Sequence, residues 1–282
     1  MAYPTVAAPY GLEPINLIGG QQFAGQTREI PIASAYNVDI LNGDVVKLNS
    51  AGTIEKDTGT TTATPVGVFL GVSYTSPSTK QKLFAQYWPA GTVASDAVAY
   101  VQDDPDLLMK AVAVSGTTVV TYAGENVVGL NAAFVQNTGS TTTGDSAVAV
   151  TNFATTASLP ARVVAIVPDT AITTSSVGST SGSSTTVTLT AANPNIYKFM
   201  DVSGTGVAAG TFVSAISGTT LTLSAAANLT GVTLTFYGSP EVVLKWNEPY
   251  AVSTTTAAGS PLVYTTTTVM TGGHQYRNPT GV

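Results

Sequence analysis

The chain carries one histidine, His274, and no cysteine, which narrows the chemistry open to it. Without Cys there is no thiolate nucleophile, no disulfide and no sulfur-ligated metal site. A Ser-His-Asp arrangement would have to use His274. The G-x-S-x-G elbow that would present its serine is missing, because Gly178-Ser179-Thr180-Ser181-Gly182 puts Thr180 at the central position. His274 therefore reads as a terminal-strand residue making a structural or interface hydrogen bond. Asp103, Asp104 and Asp106 form the densest acid cluster and offer the hard oxygen ligands that calcium takes. Pro105 splits them, and no EF-hand spacing or closing Glu follows, so they read as a solvated turn. Gly204-Thr205-Gly206 with Gly210 falls one residue off a dinucleotide fingerprint and lacks the following helix, so it too reads as a turn. No local signature selects two carboxylates for glycoside hydrolysis. Trp88 and Trp246 read as core or subunit-interface anchors rather than sugar-stacking platforms. No catalytic, cofactor-binding or metal-ligating residue is assigned, and the chain reads as a non-enzyme.

Composition points the same way. Charged residues make up 9% of the 282, whereas an ordinary soluble domain carries roughly 25%. Thr, Ser and Gly replace them, and β-branched Thr favours pleated, half-exposed surfaces over helices. A neutral hydroxyl surface also limits repulsion between densely packed copies. The net charge of -6 argues against a nucleic-acid partner, which would need a basic face. No run of ~18 apolar residues suggests a membrane span, and Met1-Ala2-Tyr3-Pro4 lacks the basic start of a signal peptide.

The elements follow from period and turn signals. Short strands are predicted at Val45–Leu48 and Thr53–Glu55 (a hairpin), Val66–Val72, Leu83–Trp88, Ala97–Val101, Met109–Val114, Ala147–Val150 and Ala161–Val167. Asn126 to Phe134 reads as one short helix, weakened by Gly129. Strands at this spacing make an all-β chain whose main domain, residues 31–171 and 238–282, is a β-barrel or β-sandwich. Ala171 to Ser184 is Thr/Ser/Gly-rich and reads as a linker. A small β-module follows, with Val187–Thr190 as its first strand. Phe212–Ile216 and Leu221–Leu223 then form a hairpin around Ser217-Gly218-Thr219, and Val232–Phe236 closes the set. Strand character changes again at Glu241–Trp246, so residues 172–237 read as an inserted domain.

Residues 1–30 differ. Pro4, Pro9 and Pro14 prevent helix, while Tyr10, Leu12, Ile15, Leu17, Ile18 and Phe23 are too apolar to leave in water. Such a segment either folds back as an edge of the main domain or lies on a partner. We read it as an extended arm, able to reach on the order of 100 Å over about 30 residues, with those six side chains as contacts to a partner or neighbouring subunit.

Tyr10-Gly11-Leu12-Glu13-Pro14-Ile15 with Leu17-Ile18-Gly19-Gly20, Gly67-Val68-Phe69-Leu70-Gly71-Val72-Ser73-Tyr74 with Gln86-Tyr87-Trp88-Pro89-Ala90-Gly91-Thr92, and the tail His274-Gln275-Tyr276 with Thr280-Gly281-Val282 resemble virion structural proteins of tailed bacteriophages, of the capsid decoration or cement type. Gln102-Asp103-Asp104-Pro105 falls in the same order, and 200–236 resembles the small β-modules inserted into such proteins. The resemblance implies a β-rich body on the outer capsid surface, made in the host cytoplasm. It also implies an extended N-terminal arm, a homo-oligomer (often a trimer), the major capsid protein as partner, and no cofactor. The alternative it leaves open is a capsid or tail appendage whose inserted module binds host-surface glycans.

Overall fold

The computed structural model describes residues 9–18, 26–115, 119–120, 127–170, 173–198, 200–238, 240–247 and 273–277. The chain is all-β. Its strands are, in order, β1 (Glu13–Leu17), β2 (Arg28–Pro31), β3 (Val45–Leu48), β4 (Ile54–Lys56), β5 (Gly67–Thr75), β6 (Lys82–Ala85), β7 (Val98–Gln102) and β8 (Leu107–Val112). A short hairpin, β9 (Val114–Ser115) and β10 (Val119–Val120), precedes β11 (Asn131–Ser140), β12 (Asp145–Ala154) and β13 (Ala161–Ile166). Then come β14 (Thr173–Ser179), β15 (Ser183–Leu189), β16 (Asp201–Ser203), β17 (Val213–Ser217), β18 (Thr220–Asn228) and β19 (Val232–Tyr237), and finally β20 (Glu241–Trp246).

Besides the β9–β10 hairpin, three larger sheets form, and the ends of each approach one another. The first has the order β1-β8-β20-β13-β11-β12. Its outer members meet where the Gly11 N–H donates to the Val148 carbonyl (3.2 Å), and Ala113 bridges Val150 beside them. Inside lie Leu12, Met109, Phe134, Val148, Val163 and Trp246, with Phe134 and Trp246 edge to face at 6.1 Å, an arrangement worth ~0.5–1.5 kcal/mol beyond area burial. The second sheet runs β2-β7-β5-β3-β4, and Ile32, just after β2, bridges Ile54 of β4. Ile40, Phe69, Val72 and Trp88 fill it. β5 is a shared wall: Val68 belongs to the first core and Phe69 to the second. That double burial explains its nearly unbroken apolar sequence.

The third sheet, β16-β19-β14-β15-β18-β17, is drawn wholly from residues 173–237 and has its own core around Val187, Met200, Leu221, Leu234 and Phe236. Asp201 bridges Phe212, and the Val213 N–H donates to the Met200 carbonyl (2.9 Å), so this sheet also curls into a small barrel. It sits in the connection between β13 and β20, which are themselves antiparallel neighbours from Ala161↔Trp246 to Ile166↔Val242. The Val167 N–H donates to the Glu241 carbonyl (2.9 Å) and the Glu241 N–H to Thr170 Oγ1 (2.8 Å), which brings the two ends of the connection together. Joining Thr170 to Glu241 through a short Gly/Ser turn is therefore expected to leave a folded body with a β13–β20 hairpin. Circular dichroism and a cooperative melt check this; an unfolded deletion variant would mean that the small barrel is part of the body's core.

Two sequence expectations need correction. The helix expected over Asn126–Phe134 is a tight turn at Val127–Gly129, with Gly129 at φ +85°, and Asn131 then opens the ten-residue strand β11. The linker expected over Ala171–Ser184 is, from Thr173, the strand β14 and the start of β15, so Val187 lies in the second strand of the small barrel.

Candidate functional site

The contact residues assigned to the N-terminal arm do not project from the molecule as a group. Leu12 is 2% exposed in the first core, and Leu17 packs against the same cluster. Tyr10 packs on Val112, Val114 and Val135. Ile15 is half-buried and Ile18 is 43% exposed, while Phe23 lies outside the described residues. The reason is that β1 pairs with β8, from Glu13↔Lys110 to Leu17↔Leu107, and fills the gap between β8 and β12. β2 likewise pairs with β7. Of the two fates weighed for this segment, edge of the body or partner-bound arm, residues 10–18 and 28–31 take the first.

A charged latch holds β1 in place. The Tyr10 hydroxyl donates to Glu241 Oε1 at 2.7 Å, and Lys110 Nζ lies 3.1 Å from Glu13 and 3.5 Å from Glu241 and over the Tyr10 ring. Burial, then the carboxylate of Glu241, push the Tyr10 hydroxyl far above its usual pKa. Burial works against the charge of Lys110, but Glu13 and Glu241 outweigh it and its pKa rises.

At the opposite end of the sequence, Gln275 acts as a strand partner for β3. Its Oε1 accepts from the Leu48 N–H (2.7 Å) and its Nε2 donates to the Leu48 carbonyl (3.0 Å). His274 is fully buried against Trp246, and its Nδ1 accepts from the Tyr276 N–H (3.3 Å). Its ring packs between those of Trp246 (6.0 Å) and Tyr276 (5.3 Å). Tyr276 in turn donates to Asp103 Oδ2 (3.0 Å), which also meets Arg28 Nε at 2.7 Å. These groups border an open cavity of about 600 Å³. Burial and Asp103 push the Tyr276 hydroxyl up to about 12. Asp104 accepts the Asp106 N–H (2.8 Å), the turn that Pro105 implied. No group of three or more His, Asp or Glu converges among the described residues. Gly178 and Ser179 end β14, and Thr180–Gly182 is the β14–β15 turn, where Thr180 Oγ1 donates to the Gly182 carbonyl. Trp88 and Trp246 are both core residues, the former donating to the Tyr36 carbonyl (3.1 Å).

Sequence reasoning missed the most constrained polar residue, Asp44. It is fully buried. Its Oδ2 accepts from the Leu41 N–H (2.8 Å) and Lys56 Nζ (2.7 Å), and its Oδ1 from Ser146 Oγ (2.6 Å). Ser146 belongs to β12 and Lys56 to β4, so this carboxylate ties the first barrel to the second. Beside it the Leu12 N–H donates to the Gly43 carbonyl (2.9 Å) and the Gly43 N–H to the Phe69 carbonyl (2.8 Å). Gly11 sits at φ +92°, where a Cβ would stand 2.8 Å from that of Ser146. The available signal was the turn Asn42-Gly43-Asp44 directly before a strand.

In the small barrel the charged residues are Lys198 and Asp201. Burial raises the Asp201 carboxyl to about 6, and its Oδ1 is buried without a hydrogen-bond partner. A raised carboxyl favours the folded state while protonated, so its contribution is full below the unfolded value near 4 and is lost as pH rises through about 6. Asp201→Asn is accordingly expected to raise the melting temperature of this barrel at pH 7–8 and to have little effect near pH 4. Equal effects at both pH values would remove the carboxyl as the cause.

No protein-family model, curated protein or solved structure matches the chain.

Proposed function

We propose that this chain is a non-enzymatic structural protein of a tailed-phage virion. In this reading it decorates the outer capsid surface and cements adjacent capsomers, as a homo-oligomer, a trimer, bound to the major capsid protein. The observation that carries the reading is where the resembling segments fall. Tyr10–Leu12 close the first barrel, Gly67–Tyr74 form the wall between the two cores, and His274–Tyr276 dock onto β3 and Asp103. The resemblance thus rests on residues that build the body, which supports a shared scaffold rather than a shared reaction. Its clamp would not use Leu12 or Tyr10, which the chain's own barrel holds; of the six contact residues the described one that stays exposed is Ile18.

The glycan-binding appendage is kept as a second reading because the small barrel carries an uncharged groove of about 430 Å³, lined by Ser175, Thr190, Asn193 and Thr233 with Val177 and Pro194. Copy number separates the two, since a cement protein is present in hundreds of copies and an adhesin in few. An electron-microscopy map of the intact particle tests the leading reading. Density for this chain at every capsomer junction is the expected result; finding it inside the tail, or absent from the particle, would overturn the reading.

A further inference from the structure

The three large sheets close on themselves, and β6, like the small β9–β10 hairpin, stands outside that closure. β6 joins β5 through Val72↔Ala85, Ser73↔Phe84, Tyr74↔Leu83 and Thr75↔Lys82, and its other edge meets no strand among the described residues. An unprotected edge presents a row of backbone donors and acceptors and is a template for another strand. On it Phe84 is 75% exposed, more than any other large apolar side chain among the described residues, and Leu83 is 37% exposed.

We propose that β6 is a self-association edge, pairing antiparallel with β6 of a second copy about a two-fold axis at Phe84. The charges select this occupant. Lys82, paired with Asp96 at 3.1 Å, marks one end of the strand, and Gln86, held by Asp145, marks the other. Antiparallel pairing about Phe84 sets Lys82 against the second copy's Gln86 and brings it towards that copy's Asp145, whereas parallel pairing sets Lys82 against Lys82. The same axis places the two Phe84 rings side by side as a cross-strand aromatic pair. The contact is isologous and closes at two copies, so it is separate from the three-fold contact of the virion reading. A four-residue strand buries less than the ~1,200–2,000 Å² of a stable interface. It therefore acts at high concentration, or between copies already held side by side on a surface. This inference does not rest on the virion reading.

Because the chain has no cysteine, single-cysteine variants of the full-length protein report the register. Under mild oxidation, Phe84→Cys is expected to give a disulfide dimer. A mixture of Lys82→Cys with Gln86→Cys should cross-link as a heterodimer, and neither of those should do so alone. A control at exposed Thr185 on the small barrel, Thr185→Cys, should stay monomeric. Sedimentation velocity of the wild type should show a concentration-dependent dimer that Phe84→Asp weakens at least tenfold, with an unchanged melting temperature. A wild type that stays monomeric at every concentration overturns the proposal. So does a dimer indifferent to Phe84→Asp, or cross-linking as strong at Thr185 as at Phe84. If Phe84→Asp abolishes binding to undecorated capsids and leaves self-association untouched, the edge belongs to another protein and the proposal fails.

Discussion

Deleting residues 1–18 is expected to unfold the body rather than merely release it from a partner. The deletion removes the β1–β8 ladder, the buried side chain of Leu12, the Tyr10–Glu241 bond and the Gly11 contact that closes the first barrel. Loss of a buried leucine alone costs ~2–5 kcal/mol. An opened barrel also exposes its core and the free edges of β8 and β12, and a domain has only about 5–15 kcal/mol to lose. Leu12→Ala, at ~2–5 kcal/mol, gives a graded version that leaves the backbone in place. Both are read by urea titration of intrinsic fluorescence, since Trp246 lies in the affected core. A truncated protein with the wild-type midpoint that had only lost attachment would restore the arm.

The second large effect is expected at Asp44. Asp44→Ala leaves the Lys56 ammonium, mostly buried, without its carboxylate, and strips Ser146 Oγ and the Leu41 N–H of their acceptor. Breaking a buried pair from one side typically costs ~3–5 kcal/mol. Asp44→Asn keeps an acceptor and should cost less. Adding Lys56→Met to Asp44→Ala should recover part of the loss, because the stranded charge is then gone. Chemical denaturation of the wild type, Asp44→Ala, Lys56→Met and the double variant gives the coupling. Additive effects of the two substitutions would mean that the pair is not one unit.

Much of the strand pattern was legible because one face of most strands is apolar and the turns carry Gly, Asn or Pro. The strands that escaped did so for identifiable reasons. β14 reads as a linker because the interior position it offers the small barrel is Gly178, whose missing Cβ would stand 2.7 Å from Val187 Cγ1; a strand that buries a glycine shows no hydrophobic alternation. β11 reads as a helix because its apolar residues cluster at Asn131–Val135, where both faces are covered. The N-terminal segment is correctly extended, but local pattern cannot show the gap it fills. That gap is bounded by β8 and β12, about a hundred residues further along the chain, and nothing near Leu12 records it. For Asp44 the local turn Asn42-Gly43-Asp44 was readable, but its burial was not, since its partner Ser146 is far away in sequence.

The closure of the first barrel also imposes an order of events during synthesis. β1 is made first, yet its neighbour β8 has β20 as its other partner, and β20 emerges only after the small barrel between Thr173 and Tyr237 is complete. The second barrel, spanning Arg28 to Gln102, and the small barrel can each gather their strands from contiguous sequence. The first barrel must wait for nearly the whole chain, and such long-range pairings close slowly. Throughout that interval the nascent protein holds β8 with its β20 edge unpaired and an open apolar trough, the state in which two chains growing side by side can exchange strands or aggregate.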